Sequence, residues 1–239
     1  MTAKIAISVI VPVYKVERFV TRCVNSLFGQ SMRHNVEFIF VDDASPDKSI
    51  DIVRQRLGCY PERRTQVKIL RHEKNLGLPA ARNTGLKAAC GEYIYHCDSD
   101  DFLEPTALEQ MYATIKKHDA DIVWCDWFLS LERCKRVMPQ PSYETPIDAL
   151  KGMLSGAMKY NVWNKLVRRT LYADNGITFP SGHSMGEDMT MLCLFACADS
   201  VCHCCQPLYH YVRQNTESFT QMDRQINACH LKDLRYNME

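Results

Sequence analysis

The chain has 239 residues, 46% of them hydrophobic, and 29 Lys plus Arg against 28 Asp plus Glu leave a formal net charge of +1. That length and composition supply a sizeable core, while the near-neutral balance removes the electrostatic case for nucleic acid as the main partner. No run approaches the roughly 20 apolar residues of a membrane span and no signal-peptide pattern opens the chain, so the expectation is a cytoplasmic protein whose twelve cysteines are mostly buried, reduced thiols.

Ile5 to Tyr14 is an almost continuous apolar run ending at Pro12, the pattern of a strand buried on both faces of a parallel sheet. Val16, Val20, Val24, Leu27 and Phe28 follow at helical spacing, and Gly29 supplies a stop. A second strand, Val36 to Val41, runs into Asp42 and Asp43. Ser45 before Pro46 then reads as an N-cap with proline at the first helical position. A third strand, Val67 to Leu70, leads through Arg71 to Gly77 into a helix from Leu78 to about Cys90.

The fourth strand, Gly91 to His96, ends in Asp98, Asp100 and Asp101. Three carboxylates in four positions repel one another unless a cation sits among them. Hard oxygen donors suit Mg²⁺ or Mn²⁺, ions that keep waters and bridge to substrate phosphates. The bland alternative is an Asp-rich turn that caps the next helix.

That helix carries Leu108, Met111, Tyr112 and Ile115, and a strand from Ile122 to Trp127 follows it. The regular alternation then stops. Pro139, Pro141 and Pro146 mark a loop, and a helix-rich stretch with polar and aromatic insertions comes next. Cys202, His203, Cys204 and Cys205 are soft ligands, but they lack the repeated paired spacing of zinc ribbons and read instead as alternating positions of a strand. Strand and helix patterns alternating four times predict an open α/β sheet whose ligands lie beyond the carboxyl ends of its strands. Neither G-x-G-x-x-G nor a P-loop occurs, so phosphates need another holder.

Six segments, taken in order, resemble family 2 glycosyltransferases of the GT-A fold. They are Val9 to Tyr14, Phe40 to Ser45, Asn75 to Gly77 with Ala80 to Asn83, Asp98 to Asp101, Trp163 to Leu166, and Gly186 to Asp188. The resemblance covers roughly residues 4 to 220. It implies an open, mostly parallel twisted sheet flanked by helices, with a Rossmann-like nucleotide-sugar half over about 4–105 and an acceptor half over about 106–220. The whole reads as a single domain, with 221–239 opening a C-terminal helical region that relatives continue.

The resemblance also implies a metal-dependent, inverting transferase. It would move sugar from a nucleotide-sugar donor, a UDP-sugar above others, to a hydroxyl of a saccharide or lipid-linked acceptor in cell-surface polysaccharide biosynthesis. By the same likeness Pro12, Val13, Tyr14 and Glu17 meet the nucleotide, Asp42 accepts from uracil and Asp43 holds the turn. Arg71, Asn75 and Arg82 pass near nucleotide and sugar, and Arg82 pairs with a carboxylate of the acidic motif, with phosphate, or in a surface salt bridge. Asp100 is the direct ligand of Mg²⁺ or Mn²⁺, Asp98 holds ribose, sugar or the metal, and Asp101 supports the motif or caps a helix.

Asp188 is the catalytic base by the same resemblance, because an attacking hydroxyl must lose its proton opposite the leaving diphosphate. Trp163 offers a face to an acceptor sugar or belongs to the core, and Tyr209 to Tyr211 with Arg213 reads as a late segment closing over diphosphate, with His210 a weaker metal-ligand candidate. Peripheral contact with the inner face of the cell membrane and a homodimer are compatible with this reading. Two rivals are a catalytically idle nucleotide-sugar-binding or scaffold protein and a haloacid-dehalogenase-like phosphatase. The latter needs its aspartate nucleophile near the start of the chain, whereas three strand units precede Asp98.

Overall fold

The computed structural model describes residues 4–180 and 186–213. The predicted start of a C-terminal helical region at 221–239 lies outside the described residues. Its first half alternates β1 (Ile7–Val13), α1 (Val20–Phe28), β2 (Val36–Asp42), α2 (Ser49–Gly58), β3 (Val67–Arg71), α3 (Leu78–Ala88) and β4 (Tyr93–His96). A 3-10 turn at Pro61–Gln66 precedes β3. Then come β5 (Phe102–Leu103), α4 (Ala107–His118), β6 (Ile122–Ser130), β7 (Lys135–Met138), α5 (Pro146–Leu154), β8 (Lys165–Arg168), α6 (Arg169–Asp174), α7 (Gly186–Cys197) and β9 (Val201–Val212).

One sheet runs in the order β3-β2-β1-β4-β8-β6-β9-β5, with β7 pairing the last four residues of β6, beyond the stretch that β8 covers. β3, β2, β1 and β4 are mutually parallel, as the four repeated strand-helix units predict. The second half departs from that regularity, because β8 joins β4 and β6 antiparallel, and β7 and β5 also pair antiparallel. The two halves therefore share one continuous sheet.

β1 is buried along its whole length, and its alternate residues serve different layers. Val9, Val11 and Val13 pack with Val20, Val24, Leu27 and Phe28 of α1 and with Met111 and Ile115 of α4. Ile10 points the other way, toward Ala81 of α3 and the layer that includes Met153, Leu194 and Phe195. α3 comes so close there that a side chain at Gly85 would collide with Ile10. A two-faced strand of this kind needs buried side chains at every position, hence the nearly continuous apolar run; the one polar residue, Ser8, is buried with its hydroxyl donating to Glu37 at 2.6 Å.

Three local boundaries differ from expectation. β1 continues past Pro12 to Val13, and proline is tolerated because the last pairing with β4 is Ile10 with His96. The missing N–H thus falls where β4 has already turned away. α1 begins at Val20 rather than at Val16, whose N–H is held by Ser49 Oγ at 2.9 Å. α2 begins at Ser49, so Ser45 is not its N-cap. Asp47 takes the capping work, accepting from the Ser49 N–H at 3.1 Å and from the Ser45 and Ser49 hydroxyls at 2.6 Å.

Candidate functional site

β1, β2 and β4 all end on the same edge of the sheet; α1 and α2, which follow β1 and β2, cover one face, and α3, which carries the chain from β3 back to β4, covers the other. The order 3-2-1-4 places a crevice there, beyond the carboxyl ends of β1 and β4, where open α/β sheets take ligands. Tyr14, the first residue after β1, is 39% exposed at this rim. Val13 is fully buried, with its carbonyl taken by the Asp43 N–H at 3.0 Å, and Pro12 is buried beside it. At this end of β1 the exposed side chains are those of the turn, Tyr14 and Lys15. Glu17 is tied to the neighbouring turn, its carboxylate accepting from Lys48 N–H at 3.1 Å while its own N–H donates to Asp47.

The adjacent acids at the end of β2 divide their work. Asp43 grips the following loop, accepting from Leu76 N–H and Gly77 N–H at 2.8 Å and pairing with His72 Nδ1 at 2.7 Å. Gly77 has φ +88, a left-handed turn that lets the loop deliver both N–H groups before α3 starts. Asn75 Nδ2 donates to the Asp43 carbonyl at 3.4 Å. Asp42 is 1% exposed, with one oxygen accepting Ser45 N–H at 2.9 Å and the other 3.4 Å from Arg71 Nε. Asp43 thus holds the turn, as expected.

The centre of the site is Arg82. Its guanidinium is fully buried, donating through Nε to Glu187 at 2.8 Å and through Nη2 both to Glu187 and, at 2.8 Å, to Asp98. The fork therefore bridges the end of β4 to the first turn of α7. It is not a surface salt bridge. Burial and the Arg82 charge act in opposite senses on Glu187, and burial prevails, raising its pKa. The same two carboxylates keep Arg82 firmly charged. Beside it His96 has no hydrogen-bond partner among the described residues, and burial keeps its ring neutral.

The carboxylates of the acidic motif have distinct surroundings. Asp98 retains 26% side-chain exposure, and Asp100 is partly buried. Asp101 is 1% exposed and turns away from the crevice. It accepts from Tyr209 O–H and Val212 N–H at 2.7 Å, and Tyr209 in turn accepts from Asp98 N–H at 3.2 Å. Asp101 therefore caps no helix; it fastens the motif to β9. Burial, reinforced by Asp100 and Asp98, pushes its pKa well up. Tyr209→Phe removes the hydroxyl that serves both partners, and chemical denaturation is expected to show a loss of about 1–3 kcal/mol.

Asp188 stands next to Glu187 at the start of α7, where partial positive charge gathers. Burial raises its pKa and the Lys165 ammonium opposes that rise. Lys165 is 1% exposed, and its Nζ donates to Lys159 O, Asn161 O and Asn164 Oδ1 at 2.9, 2.6 and 3.0 Å. Three acceptors match the three N–H bonds of an ammonium, although burial pulls the pKa down to about 7.

Several expectations change with these placements. Trp163 is core, 6% exposed and stacked on Tyr209 with centroids 4.4 Å apart. Tyr209 and His210 are buried strand residues rather than a closing segment. His210 meets Glu104 at 2.8 Å through Nε2 and Ser130 Oγ at 2.9 Å through Nδ1, which leaves no free ring nitrogen for a metal. Cys202 and Cys204 are buried at alternate positions of β9, as a strand requires. Glu187 and Lys165 enter the site without having been singled out, although both stand inside motifs already marked, Glu187 beside Asp188 and Lys165 beside Trp163.

The model of glycosyl transferase family 2 matches residues 8–186. EpsH of Bacillus subtilis, a glycosyltransferase by name, is 34% identical over 214 residues, which are 86% of this chain and 60% of EpsH. The poly(ribitol-phosphate) beta-glucosyltransferase of Bacillus spizizenii is 33% identical over 76% of this chain and 28% of that protein. Staphylococcus aureus TarS 1–349 solved with UDP has a TM-score of 0.73 at 25% identity, over 87% of this chain and 60% of the other. The same protein with UDP-GlcNAc has the same fold, with a TM-score of 0.79 at 23% identity over 97% of this chain and 65% of the other. The chain thus spans about three fifths of the length of EpsH. With the match running from the second residue of β1 to the first residue of α7, through every strand that forms the crevice, the chain belongs to glycosyl transferase family 2.

Proposed function

We propose that this chain is the catalytic part of an inverting glycosyltransferase. It moves a sugar from a nucleotide-sugar donor, a UDP-sugar, to a hydroxyl of a saccharide or lipid-linked acceptor in the making of cell-surface polysaccharide. The observation that carries the reading is the Arg82 bridge. It joins Asp98, at the end of β4, to Glu187, and so sets Asp188 beside the crevice where a nucleotide would enter. UDP in the TarS complex supports the choice of nucleotide, and the poly(ribitol-phosphate) relative supports the cell-surface setting.

Asp98 and Asp100 would hold Mg²⁺ or Mn²⁺. Their hard oxygens suit either ion, Asp98 keeps about a quarter of its side chain exposed at the end of β4, and ions of this kind are held by one or two carboxylates and take their other ligands from water and substrate phosphates. When bound, the ion neutralises charge on the departing diphosphate.

The chain's own residues supply the rest. Tyr14 and Asn75 line the nucleotide side, with Asp42 buried next to them at the end of β2, and the Asp43 grip on the loop before α3 sets their spacing. Asp188 takes the proton of the acceptor hydroxyl as that oxygen attacks the anomeric carbon, in one displacement without a covalent enzyme intermediate. Arg82 holds the two acidic segments in register and adds no step of its own. Peripheral membrane contact belongs with a lipid-linked acceptor; among the described residues no helix is long and apolar enough to cross a membrane.

Calorimetric titration of UDP with and without Mn²⁺, on this chain and on Asp100→Ala, tests the nucleotide half. Metal-dependent binding lost in the variant is the expected result. No binding of any nucleotide to folded protein would overturn the transferase reading, while binding of GDP or dTDP in place of UDP would overturn only the base.

A further inference from the structure

A second cluster of reactive side chains stands on β6 and β9, apart from the crevice. His203 is 5% exposed, its Nε2 is 3.0 Å from Asp126 Oδ1, and its Nδ1 is 3.3 Å from Cys205 Sγ and 2.7 Å from Ser142 Oγ. The carboxylate fixes the tautomer, since it can only accept; Nε2 carries the proton and Nδ1 presents its lone pair to the thiol. The ring is clamped flat against Trp124, with centroids 5.6 Å apart and planes 12° from parallel. Burial lowers the His203 pKa against the pull of Asp126, so the ring is a neutral base.

The backbone explains why this thiol is presented outward. Cys125 pairs with Cys204, yet the next residue, Asp126, pairs with Pro207, so β9 carries a bulge at Cys205 and Gln206. A bulge bends its strand and re-aims the side chains on it. Cys205 is exposed, while its neighbours Cys202 and Cys204 are buried.

We propose that Cys205 is a nucleophilic modification site, activated by His203 and oriented through Asp126, that takes up low-molecular-weight disulfides. The Cys205 Sγ–H proton passes to His203 Nδ1 as the sulfur attacks one sulfur of the disulfide. The S–S bond of the reagent breaks, a protein mixed disulfide forms, and the departing thiolate recovers the proton from the imidazolium. Ser142, whose Oγ is 3.8 Å from Cys205 Sγ, also lines an open surface cleft with Tyr143, Glu144, Asp148 and Lys151. Among the other exposed thiols, Cys90 has Lys68 Nζ at 3.8 Å, but that ammonium is already paired with Glu37 at 2.8 Å.

The test is labelling of the folded chain with dithiobis(nitrobenzoate), an aromatic disulfide, followed by peptide mapping of each cysteine over time. Cys205 is expected to react about tenfold faster than exposed Cys59 and Cys134. His203→Gln should bring it down to their rate, while Ser142→Ala should leave it unchanged or faster by removing the competing hydroxyl. Protection of buried Cys23, Cys97 and Cys125 reports that each variant is folded. Equal rates at Cys205 and Cys59 in the parent chain would overturn the proposal, as would an unchanged Cys205 rate in folded His203→Gln. Slowing in Ser142→Ala would also overturn it, because the activating group would then be the hydroxyl. Should His203→Gln unfold, the parent ranking and Ser142→Ala still decide.

Discussion

If Asp188 is the base as proposed, Asp188→Asn is expected to lower kcat for sugar transfer by about 10³-fold, within the range for loss of a general base, while UDP affinity stays within about twofold of the parent, because the proposed role touches the acceptor and not the nucleotide. The amide keeps the shape of the side chain and removes only its capacity to accept a proton. Stability should hold or rise slightly. Burial raises the Asp188 pKa above that of an ordinary aspartate, so at neutral pH the ionised group disfavours the fold, and a neutral replacement removes that cost. The same raised pKa sets a pH dependence. As pH falls through it Asp188 gains a proton and can no longer accept one, so the acid limb of kcat/KM should lie above the ordinary carboxylate range. A folded Asp188→Asn that keeps parental kcat would end the base assignment and move attention to Glu187.

Arg82→Lys and Arg82→Met should each do greater harm to the fold than any other change in the crevice. A single ammonium cannot reproduce a fork that meets Glu187 through Nε and Nη2 and Asp98 through Nη2. Methionine leaves two partly buried acids facing each other without their cation. Breaking a buried ion pair from one side costs about 3–5 kcal/mol, and exposure of about a quarter of Asp98 and Glu187 places the loss toward the lower end. Thermal denaturation measures it. Loss of transfer should accompany it in whatever protein remains folded, because Glu187 and its neighbour Asp188 would no longer be held against the end of β4. Arg82→Lys with parental stability and parental kcat would show that the bridge is dispensable.

The parallel half of this sheet was legible because its signals are local. An apolar run such as Ile7 to Val13 declares a strand buried on both faces, and helical spacing from Val20 to Phe28 declares the layer that covers one of them. Acids at the ends of β2 and β4 stand out in any reading, and so do short motifs at fixed spacing. The antiparallel half was less legible, because β8 and β9 find their partners by position in the sheet, and a four-residue strand such as Lys165–Arg168 carries too few residues to show a period.

By itself the sequence determined the family, the βα alternation and the set of acids available for chemistry, since hydrophobic period and residue order are properties of neighbouring residues. Only the tertiary structure decided what each acid does. Asp42 and Asp43 are adjacent, yet only Asp43 is positioned to grip the loop before α3. Asp98 and Asp101 are three apart, yet one meets Arg82 and the other is buried against Tyr209. Arg82 and Glu187 lie 105 residues apart, so their pairing is set by α3 and α7 meeting over the same edge of the sheet. A carboxylate's role follows from which charge and how much water surround it, and those surroundings exist only once distant strands have closed the crevice.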